Sequence, residues 1–471
     1  MRALKTALAF TIALTAAAAI AGCGGKKEEK YEQKVEVANT EDIADIPDGA
    51  QKELVWLSYF DLNPTKRTPE KRSDVALFEM KGGSIKYEQS SSLEVYSKLA
   101  SDIMAATPPD IFWYETGMTF PANCVKEMFQ PIDDAVDFDQ PLWADVRGMA
   151  EQYTMNGRHY VAPINYQVMS VLTYDKDMIE AANLDDPYEL YLQGEWDWDT
   201  WFDMMKTYVD AGTEGEERYG VNGWFAPFIF HSTGKTIVYY DEEAGEYAAH
   251  YDDPDLVRAA NFLYELKKNG LYNAAWLGQA SDCFKANTLF YAMGSWASID
   301  THTPKEGDNW GVVPIPKDPN SDTLYTTIDV NSYMWVKGST KTEAYSTWMQ
   351  CARIVNVDPE YIATEKAKFD ANNPYWTDEM YQVAYSDLIS DKYVQIFDPG
   401  YGISTTLSDN GAATNDTKEA LIPYMYTSVM KEDENGTQFT WTSLCETYRP
   451  VIQSELDEFN KAYREYLANN P

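Results

Sequence analysis

The stretch IKYEQSSSLEVYSKLASDIMAATPPDIFW, residues 85–113, indicates the fold class more directly than any other part of the chain. Residues 85–88 alternate apolar and polar side chains, which is typical of a strand. Residues 94–105 carry apolar side chains at helical spacing, and the two prolines that follow end that helix. Residues 111–113 are a short apolar run that suits a buried strand. A strand, a helix and a second strand in this order predict a parallel βαβ unit.

Similar patterns extend this organisation along the chain. An apolar run at residues 54–57 predicts another buried strand. Residues 312–316 predict an extended segment, because their prolines exclude helical backbone. Further helices are predicted at residues 176–182, 201–211 and 254–269. The alternation of strands and helices predicts an α/β protein with a mostly parallel sheet.

The N-terminus has the pattern of a secretory leader. Arg2 and Lys5 precede an apolar run at residues 7–20, which is too short and too rich in alanine to span a hydrocarbon core of ~30 Å. The residues Ile20-Ala21-Gly22-Cys23 resemble the bacterial lipobox, in which cleavage leaves the cysteine as a lipidated N-terminus. An ordinary signal peptide with an incidental Cys23 is the alternative.

This leader determines the expected location. Residues 1–22 are predicted to be a signal peptide, and residues 23–52 a lipidated tether that is too polar to fold alone. The rest of the protein is then expected outside the cytoplasm, anchored to the cell membrane by lipid on Cys23 and without a transmembrane helix.

Composition and charge narrow the class of protein. A chain of 471 residues is too long for one ordinary core, so two or more lobes are expected. The 14 tryptophans and 34 tyrosines exceed the usual needs of a core, so some rings are expected to face solvent or a ligand. A formal net charge of −37 repels nucleic acid and anionic lipid, which argues against both as partners. We interpret the acidic surface as an aid to solubility, with attraction of a cationic solute such as a polyamine as the alternative.

Cysteines and histidines give no sign of a metal or a cofactor. The cysteines after Cys23 are widely spaced and form no CxxC pair, so the sequence allows either buried thiols or two disulfides; they are Cys124, Cys283, Cys351 and Cys445. The histidines lack the spacing of metal ligands and are expected to be structural or at the surface; they are His159, His231, His250 and His302. We therefore predict no metal and no cofactor.

Five segments occur in an order that matches one protein family. They are Pro109-Asp110-Ile111-Phe112-Trp113, Val161-Ala162-Pro163, Leu172-Thr173-Tyr174-Asp175-Lys176-Asp177, Ala292-Met293-Gly294-Ser295-Trp296 and Gly311-Val312-Val313-Pro314-Ile315-Pro316. Together they resemble family 1 extracellular solute-binding proteins, the sugar-type receptors of ABC importers related to maltose-binding protein. The match runs from about Leu54 to Ile354, and the region from about Asp358 matches poorly.

The resemblance implies a bilobed α/β fold of the periplasmic-binding-protein type, with two mixed sheets flanked by helices and a hinge between the lobes. Residues 53–161 and 317–355 would form lobe 1, and residues 162–316 and 356–471 lobe 2. The lobes would close around a solute in a hinge motion that tighter binding to the closed state drives.

The implied function is that of a lipid-anchored extracellular substrate-binding subunit of an ABC importer. It would bind a sugar or oligosaccharide as a monomer and dock on ABC permease subunits in the membrane. No chemistry on the solute is expected.

Candidate contacts for a sugar follow from its apolar faces and its rim of hydroxyls, which call for aromatic rings and for carboxylate or amide groups. Loops at the carboxyl ends of parallel strands supply both kinds. The candidates are Tyr59 and Asp61 after the first strand, Tyr166 and Gln167 at the first crossing, Trp224 in the second lobe, and Asp329 and Asn331 in the returning segment. A surface turn or core packing is the alternative role for these positions.

Three further candidates depend on the resemblance. Trp113 and Glu115 follow a strand where maltose-binding protein carries a stacking tryptophan and acidic ligands, although Trp113 also suits a core position. Trp296 lies in Gly294-Ser295-Trp296, which resembles the family loop whose tryptophan stacks on the solute. The glycine there permits close approach of the backbone.

Two other functions are compatible with the sequence. One is a receptor for a non-sugar solute such as a polyamine or a peptide, and the other is a secreted carbohydrate-active enzyme. A glycosidase needs two carboxylates that face one glycosidic bond, and 75 acidic residues single out no such pair. Because GxSxG, HExxH, Walker and GxGxxG motifs are all missing from the sequence, we predict a receptor and no enzyme.

Overall fold

The predicted strands and helices are present in the structure, a computed structural model that describes residues 43–115, 117, 119–275, 277–294, 303–407 and 420–470. The strands are β1 Glu53–Ser58, β2 Ser84–Gln89, β3 Ile111–Trp113, β4 Thr154–Met155, β5 Arg158–His159, β6 Asn165–Val168, β7 Val171–Asp175, β8 Tyr219–Gly223, β9 Val238–Asp241, β10 Glu246–Ala249, β11 Thr288–Met293, β12 Trp310–Pro314, β13 Tyr325–Asn331, β14 Tyr333–Trp335 and β15 Val394–Ile396.

Helices alternate with these strands over most of the chain and dominate after β14. The α-helices are α1 Ser73–Met80, α2 Val95–Met104, α3 Ala122–Val125, α4 Arg147–Ala150, α5 Lys176–Ala181, α6 Pro187–Gln193, α7 Trp198–Asp210, α8 Ala226–His231, α9 Pro254–Lys268, α10 Ala280–Lys285, α11 Thr342–Ile354, α12 Pro359–Asn372, α13 Asp378–Tyr385, α14 Leu421–Ser428 and α15 Trp441–Asn469. Within the part of the chain that the structure describes, none of these helices combines the length and apolarity needed to cross a membrane.

The backbone forms two compact units. Unit 1 contains residues 43–112, Asp134–Val136 and Gly338–Thr364, and unit 2 contains the other described residues. The lobe boundaries expected from the sequence stay predictions.

Unit 1 is built on the βαβ pattern from which its fold was predicted. Strand β1 lies between β2 and β3 and is parallel to both. Helix α11 packs on α1, where the rings of Phe78 and Trp348 meet edge to face at 5.4 Å. The core of this unit is therefore the apolar run at residues 54–57 together with these two helices.

Asp110 connects three segments of unit 1. Its buried carboxylate accepts hydrogen bonds from the Val55 amide at 2.7 Å and from the Ser339 hydroxyl at 2.7 Å. The Lys341 ammonium lies 2.6 Å from the same carboxylate and also donates to the Glu53 carbonyl at 2.7 Å. Because this buried charge is paired and hydrogen-bonded, it fixes β1 against the chain at residues 339–341.

Unit 2 contains a mixed four-stranded sheet in the order β12, β7, β11, β8. Strand β11 is parallel to β8, whereas β7 is antiparallel to both β11 and β12. The expectation of a mostly parallel sheet is therefore wrong for this unit, because β12 and β11 both return against β7. A second sheet of unit 2 has the order β15, β13, β6, with β13 antiparallel to β6.

Helix α7 begins three residues before its predicted start. The Asp197 side chain accepts a hydrogen bond from the Thr200 amide at 3.0 Å and so caps the helix at Trp198. The prediction was wrong at this end because Asp197 and Asp199 are both suitable caps, and it took the second one. Trp198 and Trp201 are buried on the core side of α7.

The described cysteines are buried thiols and form no disulfide. Burial raises the pKa of Cys283, Cys351 and Cys445 to about 12, and it raises that of Cys124 as well. Of the two alternatives that the sequence left open, the structure therefore shows the first.

Candidate functional site

A polar face of the β6–β13 pair brings several candidate residues together. In the antiparallel register, Gln167 lies opposite Asp329 and Asn165 lies opposite Asn331. Residues directly opposite each other share a face, and residues two apart on one strand share it too. These four side chains therefore form one half-buried polar surface, which we call the polar ladder. The amide of Asn331 donates to the side-chain oxygen of Asn165 within it.

The opposite face of the same two strands is apolar. Val168, Ile328 and Val330 are buried there, and Tyr166 alternates onto this face. Two of the candidates, Tyr166 and Gln167, thus point to opposite sides of the sheet. The apolar face anchors the pair in the core and holds the polar ladder rigid.

Trp224 lies at the carboxyl end of β8. Its ring is 38% exposed and meets Phe228 edge to face at 4.9 Å. Gly223, in register with Ala292, has a φ of +100°, and a Cβ on it would lie 2.1 Å from the Ala292 carbonyl oxygen. Only glycine allows this close approach, which also lets the Trp224 amide donate to the Ala292 carbonyl at 3.0 Å. The local backbone therefore holds the Trp224 ring at the end of the sheet.

Ser170 and the neighbouring helix join Trp224 to the polar ladder. The Ser170 hydroxyl donates to the Trp224 carbonyl at 2.7 Å. Ser170 and Phe228 line a small pocket together with Thr327, which lies two residues before Asp329 on the same face of β13. Trp224 and the polar ladder therefore both have neighbours that line this pocket.

Trp113 and Glu115 lie at the start of unit 2. The half-buried Trp113 ring packs edge to face on Tyr333 at 5.3 Å. The Thr119 hydroxyl closes a turn by donating to the Glu115 carbonyl at 3.0 Å. Both candidates are half-buried, so each retains some access to solvent.

Tyr59 and Asp61 lie in the loop after β1 of unit 1. The Trp56 indole donates to the Phe60 carbonyl at 2.8 Å, which bends the loop and leaves the Tyr59 ring 42% exposed. The carboxylate of Asp61 accepts from the backbone and the side-chain amide of Asn63 at 2.9 and 3.0 Å. The loop is therefore held in shape by its own residues.

Two predicted positions lie outside the described residues. Trp296 falls within residues 295–302, and the lipid-attachment candidate Cys23 falls within residues 1–42.

Sequence reasoning missed Ser170, Thr327 and His231. Thr327 could have been predicted from the alternation of side chains along the strand, since it precedes Asp329 by two residues and so shares its face. His231 donates or accepts hydrogen bonds at both ring nitrogens, and burial lowers its pKa to about 3. No local pattern marks it, because its partners lie 96 and 195 residues away in the sequence.

Among the described residues, no cluster of histidine, cysteine, aspartate and glutamate is arranged to hold a metal ion. The chemistry that the site offers is therefore hydrogen bonding by carboxylate, amide and hydroxyl groups, together with contact on an aromatic ring.

Solved structures share this fold. A cyclo/maltodextrin-binding protein in complex with maltotetraose aligns with a TM-score of 0.58 at 16% identity, over 87% of this chain and 98% of that one. The cyclic alpha-maltosyl-1,6-maltose binding protein of Arthrobacter globiformis aligns with a TM-score of 0.53 at 13% identity, over 88% and 99%. UgpB of Mycobacterium tuberculosis in complex with glycerophosphocholine aligns with a TM-score of 0.55 at 15% identity, over 87% and 100%. These likenesses confirm the predicted α/β fold of the bilobed periplasmic binding proteins.

The sequence itself gives the family. No curated protein matches it significantly. The model of the bacterial extracellular solute-binding protein family matches residues 76–353, more than half of the chain. The resemblance drawn from the five segments is thereby confirmed. The chain belongs to the bacterial extracellular solute-binding protein family.

Proposed function

We propose that this protein is the lipid-anchored, extracytoplasmic substrate-binding subunit of an ABC importer and that its solute is a sugar or oligosaccharide. The observation that carries the sugar assignment is the polar ladder, with the exposed ring of Trp224 joined to it through Ser170 and Phe228. One structural relative was solved with maltotetraose and another is named for binding cyclic alpha-maltosyl-1,6-maltose, which supports the same class of solute.

The chemistry of the ladder suits a ring of hydroxyl groups. The carboxylate of Asp329 accepts hydrogen bonds, whereas the amides of Gln167 and Asn331 both donate and accept. A hydroxyl also donates and accepts, so a sugar can satisfy these groups without carrying a charge. Bonds to the carboxylate are charge-assisted and are the stronger ones.

Aromatic surface supplies the other half of the recognition. Trp224 is 38% exposed, so an apolar sugar face can pack against the accessible part of its indole. Tyr59, Asp61, Trp113, Glu115 and Trp296 are additional contacts in this proposal. Closure of the lobes around the solute stays part of it.

Binding of candidate solutes to the purified protein tests the proposal. Isothermal titration calorimetry would compare maltotetraose, glycerophosphocholine, spermidine and a short peptide mixture. We expect saturable binding of a saccharide and a 10- to 100-fold weaker affinity for Trp224→Ala, about 1.4–2.8 kcal/mol. The matched control is Tyr375→Ala, which removes a ring that is 45% exposed but lies outside the candidate site.

The alternatives give different outcomes in the same samples. Binding of spermidine alone would identify a polyamine receptor and contradict the sugar assignment. Cleavage of maltotetraose during the titration, seen by chromatography, would identify a carbohydrate-active enzyme. Equal affinities of Trp224→Ala and Tyr375→Ala would remove Trp224 from the site.

Membrane attachment is tested separately. We expect the wild-type protein to sediment with membranes and to incorporate a labelled fatty acid, and Cys23→Ala to do neither. Release of the wild-type protein into the medium would contradict the anchor while leaving solute binding untouched. The ABC permease subunits proposed as partners would then be sought by crosslinking on intact cells.

A further inference from the structure

A chain of buried hydrogen bonds runs from Asp398 to Thr327 inside unit 2. The Tyr426 hydroxyl donates to the Asp398 carboxylate at 2.6 Å. His231 Nε2 lies 3.1 Å from the Tyr426 hydroxyl, and His231 Nδ1 lies 2.6 Å from Thr327 Oγ1. The side chains of His231, Tyr426 and Asp398 are buried, whereas Thr327 is half-buried.

The donor and acceptor of each hydrogen bond in this chain follow from the bond between Tyr426 and Asp398. Asp398 also accepts from the Gly400 amide at 2.8 Å, and as a carboxylate it can only accept. The single proton of the Tyr426 hydroxyl is committed to it, so the Tyr426 oxygen accepts from His231 Nε2–H. Neutral imidazole carries one N–H, so Nδ1 is an acceptor and takes the proton of the Thr327 hydroxyl. Burial lowers the pKa of His231 to about 3, which keeps the ring neutral near pH 7.

The Thr327 oxygen therefore faces its pocket with lone pairs only. Ser170, in the same pocket, has given its proton to the Trp224 carbonyl. Ser232 donates to the Ile229 carbonyl at 2.8 Å and accepts from the Trp198 indole at 3.1 Å, so its hydroxyl is already satisfied. Three hydroxyl groups around one pocket are thus unable to donate into it.

The size of the pocket fits one small group. It has about 10 Å³ of space for the centre of a water molecule. That is close to the minimum for a single water, whose size a hydroxyl group resembles. Phe228, Ile315 and Leu388 form the apolar part of its wall, and the hydroxyl-bearing residues Tyr325, Thr326 and Tyr393 line it beside Ser170 and Thr327.

We infer that Thr327 is a solute contact whose hydroxyl the relay His231–Tyr426–Asp398 holds as a hydrogen-bond acceptor, so that a solute group bound at Thr327 must donate to it. The group favoured by the pocket is a sugar hydroxyl, and an N–H donor of a cationic solute is the other source of the same chemistry. This inference rests on the proposed function, since the pocket adjoins the polar ladder and Trp224. His231 acts in it as a positioning residue.

The tautomer of His231 tests the relay without any ligand. Two-bond ¹H–¹⁵N correlation spectra of the full protein near neutral pH, assigned with His231→Gln, distinguish a protonated Nε2 from a protonated Nδ1. We expect protonated Nε2 and bare Nδ1. A protonated Nδ1 would make Thr327 the acceptor within the protein, free its proton for the pocket, and overturn the inference.

Titration calorimetry tests whether Thr327 contacts the solute. We would titrate maltotetraose and spermidine into wild-type protein, Thr327→Val and Thr327→Ser. We expect Thr327→Val to bind maltotetraose about tenfold more weakly, and Thr327→Ser, which keeps the hydroxyl, to lie within about threefold of wild type. The matched control is Thr173→Val, at a buried threonine of β7 outside the pocket.

The outcomes separate this inference from the proposal on which it rests. If the wild type binds a probe and Thr327→Val and Thr173→Val bind it with equal affinity, the Thr327 contact is contradicted and the proposed function is not. If the wild type binds spermidine but not maltotetraose, and Thr327→Val loses spermidine binding, then Thr327 is an acceptor for a cationic solute. That result supports the Thr327 contact and contradicts the assignment of a sugar as the solute. Wild-type protein that binds neither probe contradicts both.

Discussion

The loop after β1 in unit 1 and the loop after β8 in unit 2 both present an exposed aromatic ring, but different interactions hold them. In unit 1, the Trp56 indole and the side chain of Asp61 fix the loop that exposes Tyr59. In unit 2, the backbone itself fixes Trp224, because Gly223 touches the Ala292 carbonyl. One ring is thus positioned by local side chains, and the other by contact between two strands.

The buried residues of the two units also differ in the kind of interaction they make. The strand before Tyr59 is secured by a buried ion pair, Asp110 with Lys341. Unit 2 also contains the relay from Asp398 through Tyr426 to His231, in which the described partners of a buried carboxylate are hydroxyl and amide groups. Substitutions at the Asp110–Lys341 pair should therefore mainly change stability, whereas those along the relay should also change solute binding and the response to pH.

The largest expected effect is on the ion pair of unit 1. Asp110→Ala leaves the half-buried Lys341 ammonium with the Glu53 carbonyl but without its carboxylate, and it removes the buried acceptor of the Val55 amide. We expect the free energy of unfolding to fall by about 3–5 kcal/mol. Urea denaturation followed by tryptophan fluorescence measures it.

The control for this prediction is Asp48→Ala. Asp48 is fully exposed and 3.5 Å from Lys52, so its loss should change the free energy of unfolding by less than about 1 kcal/mol. Similar losses in the two variants would show that the buried pair does not secure unit 1, and the contrast between the units would disappear.

Gly223→Ala probes the backbone contact that positions Trp224. The added Cβ meets the Ala292 carbonyl, and alanine also resists a φ of +100°. We expect a loss of about 2–3 kcal/mol in the free energy of unfolding, together with weaker binding of the solute. Denaturation and calorimetry on the same preparation measure the two effects.

Gly157→Ala separates the two causes of that loss. Gly157 has a φ of +69° but nothing within 4 Å of the position of a Cβ, so it tests the backbone conformation alone. We expect a smaller loss there, about 1 kcal/mol, and unchanged binding. If Gly157→Ala were as destabilising as Gly223→Ala, the contact with Ala292 would contribute nothing.

Acid sensitivity distinguishes the relay from the ion pair. His231 titrates near pH 6.5 in the unfolded chain and near pH 3 when buried, so the unfolded state binds the extra proton in between. Stability then falls as the pH falls, by about 1.4 kcal/mol per pH unit. Asp398 acts in the opposite sense, because burial raises its pKa from 3.8 to about 6 and the folded state binds the proton first.

His231→Gln removes the first of these two effects. Relative to wild type, the variant should gain about 1.4 kcal/mol per pH unit as the pH is lowered from about 6 to about 4. Urea titrations at three pH values measure the difference between the two proteins. A constant difference across this range would show that His231 is not buried in its neutral form.

Much of unit 1 was predictable because its signals are local. Residues 85–113 contain a strand, a helix and a strand whose periodicities are read within a few residues, and the parallel direction of the strands follows from the helical crossover between them. The antiparallel course of β7 in unit 2 was not predictable in the same way. It depends on pairing with β11 and β12, more than a hundred residues away, and an apolar run does not give the direction of its partner.

The candidate site was also predictable only where the signals lie close together in the sequence. Asp329 and Asn331 were predicted from one strand, and alternation would have added Thr327. The partners of that threonine, His231, Tyr426 and Asp398, come from three distant segments, two of them in the C-terminal region that matched the family poorly. Only the fold reveals that they meet, because nothing in their neighbouring residues requires it.

The smallest effect on stability is expected at Tyr59. This position tests the contrast between the loops after β1 and β8 most directly. The ring is 42% exposed and meets Phe60 edge to face at 5.4 Å, so Tyr59→Ala should change the free energy of unfolding by less than about 1 kcal/mol. If Tyr59 contacts the solute as proposed, the affinity for maltotetraose should nevertheless fall several-fold. Calorimetry beside urea denaturation measures both quantities, with Tyr375→Ala as the exposed-ring control. Unchanged affinity would leave unit 1 without an aromatic contact at this loop, and solute recognition would then rest on the ring that Gly223 positions.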